Sequence, residues 1–99
     1  MEAMKLQETA AAGTLESSDI QIIIEPAKAG SGIKLDLQSA VMAQFGEQIE
    51  AVILETIKNL GVADAKVFAN DKGAIDAVII SRVQTAIYRS AKTSTYKWF

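Results

Sequence analysis

Residues 39–61 read Ser39-Ala40-Val41-Met42-Ala43-Gln44-Phe45-Gly46-Glu47-Gln48-Ile49-Glu50-Ala51-Val52-Ile53-Leu54-Glu55-Thr56-Ile57-Lys58-Asn59-Leu60-Gly61. Within this stretch Val41, Met42, Phe45, Ile49, Val52, Ile53, Thr56, Ile57 and Leu60 recur at three- and four-residue spacing, which is the apolar stripe of an amphipathic helix. Ser39 is placed to cap the first turn, and Gly61 follows the last apolar position as a left-handed stop. Gly46 costs about 1 kcal/mol against alanine in a helix interior, so close packing against a sheet is expected there.

A helix with one apolar face needs a cover, and the flanking sequence supplies strands. Asp19 to Glu25 is rich in isoleucine and stops at Pro26, while Ile33 to Leu37 alternates apolar and charged residues. The intervening Pro26, Gly30, Ser31 and Gly32 suit a hairpin with a loose loop. Downstream, Ala65 to Ala69 and Ile75 to Ile80 flank Asn70-Asp71-Lys72-Gly73, which predicts a second hairpin. From Ser81 to Ala91 the period returns to that of a helix, with Val83, Ala86 and Ile87 on one side. The expected order is β-β-α-β-β-α, an α+β fold with a four-stranded, largely antiparallel sheet and both helices on one face. Lys34, Asp36, Lys66 and Asp76 would lie on the other face. Residues 1–12 are expected as a flexible N-terminal segment, 13–91 as a single domain and 92–99 as a tail.

The chain has 99 residues, enough for one core that buries roughly 60 to 70% of the unfolded surface. No apolar run approaches the roughly 20 residues that span a bilayer, and residues 1–8 lack the basic-then-apolar pattern of a secretory signal. A cytoplasmic protein is expected. A net charge of -2, with acids and bases intermingled, gives no basic stripe for nucleic acid. The chain also lacks both histidine and cysteine. The commonest general base and the usual thiolate nucleophile are therefore missing, and no catalytic residue or metal ligand set is expected.

Ser17 and Ser18, between Glu16 and Asp19, lie just before the first predicted strand. Two readings stay open: an accessible serine modified by another enzyme, or a local turn whose side chains hydrogen-bond the backbone. A self-sufficient nucleophile would need a base, and only Glu16 and Asp19 are near in sequence. Those two acids read as a solvated turn without the burial that shifts a pKa. Arg82 and Arg89 are seven apart and share a helix face, as solvated charges or as an anion or partner site. Tyr96, Trp98 and Phe99 form an aromatic cluster that could fold back, dock on a partner or stay disordered.

Ala12-Gly13-Thr14-Leu15-Glu16-Ser17-Ser18-Asp19, Gln44-Phe45-Gly46, Leu60-Gly61-Val62, and Asn70-Asp71-Lys72-Gly73-Ala74 with Arg82-Val83 occur in an order that resembles the citrate lyase acyl carrier protein (gamma chain) family over about residues 5–91. In that family the first serine of Glu-Ser-Ser-Asp or Glu-Ser-Gly-Asp carries a phosphoribosyl-dephospho-CoA group through a phosphodiester. The resemblance places the attachment on Ser17, leaves Ser18 without a role and puts the thiol on the cofactor. It implies a non-catalytic subunit that carries acetyl and citryl thioesters between an alpha acyl transferase and a beta citryl lyase, after loading by a prosthetic-group transferase. The flexible alanines and Gly13 would let the attachment point move. Two alternatives are a malonate decarboxylase acyl carrier subunit and an unmodified protein-interaction subunit.

Overall fold

The computed structural model describes residues 4–92. Four strands and two helices are present: β1 (Ala10–Ala12), β2 (Ile20–Pro26), β3 (Ile33–Ser39), α1 (Met42–Asn59), β4 (Ala65–Asp71) and α2 (Asp76–Ala91). The α+β architecture with four strands and two helices is as expected. The identity of one strand and the pairing are not. The sheet runs β1-β2-β4-β3, with β1–β2 and β2–β4 antiparallel and β3–β4 parallel, so it is mixed. Parallel neighbours need a crossover, and α1 provides it between β3 and β4.

Neither predicted hairpin forms. β4 lies between β2 and β3, which leaves the two strands of the first expected hairpin one strand apart. In the second, the strand expected over Ala65 to Ala69 forms and runs on through Asn70 and Asp71, but residues 76–80 open α2. The β-branched run Val78-Ile79-Ile80 favours a strand locally. However, buried Ile79, Val83, Ala86 and Ile87 continue one helical stripe, and burial of that stripe overrides the local preference. Asp76 accordingly sits in the first turn of α2, not on the open sheet face, where Lys34, Asp36 and Lys66 are indeed exposed.

The missing strand comes from the segment expected to be flexible. Ala10, Ala11 and Ala12 pair with Ile24, Ile23 and Ile22, and Ala12 is buried. Three alanines carry neither the branching nor the alternation that announces a strand, yet their small side chains let α2 lie close. Ahead of them Leu6 enters the core, while the N–H groups of Gln7 and Glu8 donate to the Ser90 carbonyl at 2.9 and 3.2 Å. Gln7 Nε2 also donates to the Ala91 carbonyl at 3.2 Å, so the start of the chain caps the end of α2. Residues 4–12 thus belong to the folded domain. Tyr96, Trp98 and Phe99 lie outside the described residues.

Both helices cover one face of the sheet around a single cluster that includes Ile20, Ile22, Ile24, Ile53, Ile57 and Val67. Gly61 stops α1 at a φ of 76°, and the bonds from Gly61 N–H to the Lys58 carbonyl and Val62 N–H to the Ile57 carbonyl form a Schellman motif. The N-terminal expectation is displaced. Ser39 is not the cap, because Val41 holds that position; the Ser39 hydroxyl instead accepts from Val41 N–H at 3.0 Å and donates to Asp71 Oδ2 at 2.7 Å. Gly46 is buried against the Met42 thioether of its own helix, not against the sheet. No helix among the described residues is long and apolar enough to cross a membrane.

The buried Asp71 carboxylate joins three segments, since it also accepts from Gly73 N–H at 3.1 Å and Ala74 N–H at 2.9 Å. A buried acceptor set of this kind is costly to remove, because its donors lose their partners. Asp71→Ala should lower the unfolding free energy by about 3 kcal/mol, seen as a lower urea midpoint at unchanged slope. Asp71→Asn, which retains one acceptor oxygen, should lose less.

Candidate functional site

The β1–β2 connection, residues 13–19, holds the two serines at its tip. Asp19 N–H donates to the Glu16 carbonyl at 3.1 Å, which makes Ser17 and Ser18 the central residues of a β-turn. Ser18 has a φ of 69°, in the left-handed region that a type II turn requires at its second central position and that glycine adopts without strain. Both serines are exposed, and the Ser17 hydroxyl makes no hydrogen bond among the described residues.

Below the tip, Asp19 organises the loop. Its carboxylate accepts from Thr14 N–H at 3.0 Å, the Thr14 hydroxyl at 2.7 Å and its neighbour Ile20 N–H at 2.7 Å. Arg82, on α2, forks onto both oxygens, with Nε at 3.0 Å from Oδ1 and Nη2 at 3.1 Å from Oδ2. The Thr14 hydroxyl accepts in turn from Glu16 N–H at 3.2 Å. The Arg82 guanidinium first, then the Thr14 hydroxyl and the Ile20 amide, hold the Asp19 carboxyl well below the usual carboxylate range; the opposing effect of burial is outweighed. Asp19 is therefore no solvated turn residue. Nor is it a base for Ser17: a useful base has a pKa near working pH, and this one is displaced in the other direction.

Three further contacts fix the loop. Ser18 N–H donates to the Lys72 carbonyl and Lys72 N–H to the Asp19 carbonyl, each at 2.9 Å, which ties the loop to the β4–α2 connection. Gly13, at a φ of 86°, lies so close to β2 that a Cβ would collide with the Ile20 carbonyl oxygen. The alanines and Gly13 are therefore no hinge: three are in a strand and the fourth is wedged. Arg89, on one face with Arg82, donates from Nη1 to the Ala11 carbonyl at 2.8 Å. Both arginines clamp the β1 edge and its loop while staying partly solvated, Arg89 the more exposed of the two. Sequence reasoning brings Asp19 and Ser17 together but misses Arg82 as their support; the 63-residue separation between Asp19 and Arg82 leaves no local signal. Asn70-Asp71-Lys72-Gly73 forms the end of β4 and the turn into α2. Among the described residues no group of three or more acids gathers as a metal site.

The site is thus an exposed serine at the tip of a turn braced by Asp19, Arg82 and Lys72. Residues 7–90 match the acyl carrier family model described as malonate decarboxylase delta subunit (MdcD). The citrate lyase acyl carrier protein of Fusobacterium nucleatum is 50% identical over 95 residues, covering 96% of this chain and all of that protein. Those of Lacticaseibacillus casei and Lactobacillus helveticus are 48% and 51% identical, covering 96% and 91% of this chain and 92% and 91% of theirs. Among solved structures, a chain of a Pseudomonas malonate decarboxylase hetero-tetramer in complex with malonate superposes with a TM-score of 0.71 at 16% identity, covering 90% of this chain and 91% of that one; at this identity it speaks for the fold alone.

The chain belongs to the citrate lyase acyl carrier protein family. It is a non-catalytic component of a multisubunit complex and works with a covalently bound prosthetic group.

Asp19 makes the loop acid-sensitive, with a definite sign. A carboxyl whose folded pKa lies below its unfolded value of 3.8 stabilises the fold above that value and loses the contribution as pH falls towards the folded pKa. The stability difference between the parent chain and Asp19→Asn, from urea unfolding, should be largest near neutrality and shrink below about pH 4. A difference unchanged between pH 7 and pH 3 would count against the Asp19–Arg82 pair.

Proposed function

We propose that Ser17 is the attachment residue and that it carries phosphoribosyl-dephospho-CoA through a phosphodiester. The carrying observation is the Ser17 hydroxyl itself: exposed, unengaged and held at a turn tip by the Asp19 network. A transferase needs such a hydroxyl within reach and at a reproducible position. The fit extends to chemistry, since a phosphodiester needs one free serine oxygen and no neighbouring acid disturbs this one by contact. Glu16 is exposed, and Asp19 is neutralised by Arg82.

When bound, the group supplies a terminal thiol that holds acyl groups as thioesters. The chain's own part is to hold the tether and present it. Tethering raises the effective concentration of the carried group at each partner's site. The partners in this reading are an alpha acyl transferase and a beta citryl lyase subunit, which together convert citrate to acetate and oxaloacetate in the cytoplasm. Near-full-length identity of about half to citrate lyase carriers favours citrate over malonate as the acid served.

Intact-mass measurement of the chain coexpressed with its prosthetic-group transferase tests the assignment. A single addition of cofactor mass is expected, retained in Ser18→Gly and abolished in Ser17→Ala. An addition that survives Ser17→Ala would overturn it.

A further inference from the structure

The two edges of the sheet differ. β1 is only three residues long, and Arg89 donates to its Ala11 carbonyl, so little of that edge is open. β3 ends the sheet on the other side, seven residues long, in unbroken register with β4 and without proline. No described segment pairs with its outer edge. A straight, uncovered edge of that length is a template for another strand. Burial points the same way: Ile33, Leu35 and Leu37 pack against the core but are only half-buried, whereas Ala65, Val67 and Ala69 beside them on β4 are buried.

The backbone fixes which groups face that edge. The Gly32 carbonyl accepts from Ala65 N–H at 3.1 Å, and Ala40 N–H donates to the Asp71 carbonyl at 3.0 Å, so the even-numbered residues of this segment bond to β4. Alternation along the strand then turns the N–H and C=O groups of Ile33, Leu35 and Leu37 outward. An antiparallel neighbour exchanges two hydrogen bonds with each residue of such a row. If the neighbour is a second β3, odd-numbered residues must therefore stand opposite odd-numbered ones. The registers with most overlap are centred on Lys34, Leu35 or Asp36. The first sets Lys34 against Lys34 and the last Asp36 against Asp36, and like charges directly opposite are destabilising. Centred on Leu35, the same strand is complementary to itself: Leu35 meets Leu35, Ile33 meets Leu37, and Lys34 meets Asp36 on both sides of the axis.

We propose that β3 pairs antiparallel with β3 of a second copy of this chain, about a two-fold axis at Leu35, so that the sheets of two protomers become one. Lys34 and Asp36 are exposed on the open face and form the opposite-charge cross-strand pairs there. On the helix-covered face Ile33, Leu35 and Leu37 of the two copies meet and complete one another's burial. The contact is isologous and closed, since each protomer gives its only long open edge to the other. A single strand pairing is a small interface, so the dimer is weak and reversible. β3 ends, and β2 begins, at the end of the molecule that carries the serine turn. An antiparallel pair therefore points the two turns in opposite directions and leaves both Ser17 hydroxyls clear, whether or not they bear a group.

Sedimentation of the full-length chain from micromolar to millimolar concentration should show a reversible monomer–dimer equilibrium. Lys34→Asp and Asp36→Lys, both at exposed positions, place like charges opposite one another and should each raise the dissociation constant about ten-fold. Combining the two substitutions in one chain should restore the parent value. Because the chain has no cysteine, the register can be read by cross-linking. Residues 34 and 36 of the two copies form a pair without mutual hydrogen bonds, whose Cα atoms lie about 4.5 Å apart, within reach of a disulfide. Lys34→Cys mixed with Asp36→Cys should link into a mixed dimer under mild oxidation, and neither variant should link to itself. A chain that stays monomeric throughout overturns the proposal, as does self-linking of either variant, which would mean another register. A Leu35 N–H that exchanges slowly at every concentration also overturns it, since the edge is then covered within one chain.

Discussion

The carboxylate of Asp19, forked by Arg82, is the contact on which the serine turn depends. It joins three elements that are remote in sequence: the loop after β1, the start of β2 and the second turn of α2. Both members are partly solvated, so the value of the pair lies less in Coulomb energy than in geometry. Two parallel N–H donors fix the carboxylate plane, and the fixed carboxylate then fixes Thr14 and, through it, Glu16. Gly13 makes the arrangement possible, because only a residue without Cβ lets the loop return so close to Ile20. Arg89 extends the same clamp to the edge strand, satisfying a carbonyl that would otherwise face water.

Sheet order explains why the turn lies beside both helix N-termini. β2 begins, and β3 and β4 end, at the same end of the molecule, because β2 runs against β4 and β3 runs with it. Each helix follows the end of a strand directly, α1 after β3 and α2 after β4. Both helix N-termini are thereby brought beside residues 13–19. The Asp71 carboxylate locks this convergence, since Ser39, Gly73 and Ala74 all donate to it.

How much of the structure is legible in the sequence depends on how each signal arises. The stripe from Val41 to Leu60 and the Gly61 stop are local properties of consecutive residues; the stop holds, and the stripe holds from Ile49 onward, while Met42 and Phe45 at its start are exposed. Ile20–Pro26 and Ile33–Ser39 are likewise readable as strands, yet their pairing is not, because a loop that suits a hairpin can also step over one strand. Ala10–Ala12 becomes a strand only through the partner beside it and the helix above it, so its own residues announce nothing. Val78-Ile79-Ile80 misleads for the converse reason: β-branching is a weak preference, and the Ile79-Val83-Ile87 stripe outweighs it. At the site, the Glu16 to Asp19 block stands out in the sequence, but the exposure of Ser17 and the grip of Arg82 on Asp19 require the folded chain.

The braced loop changes how a carrier of this kind must work. Had the alanines and Gly13 been a leash, part of the reach between partners would have come from the polypeptide. Instead the alanines are β-paired and Gly13 is wedged, so a group borne on Ser17, as proposed, would have an anchor that moves only with the whole domain and would itself supply the reach. A fixed anchor also separates the two serines physically. At the second central position of the turn the backbone demands a positive φ, which glycine meets better than serine. A hydroxyl that the turn geometry invites glycine to replace is a poor choice for an attachment on which the whole carrier depends. Ser17, at the first central position, is under no such pressure, and its hydroxyl stays exposed and unengaged at the tip.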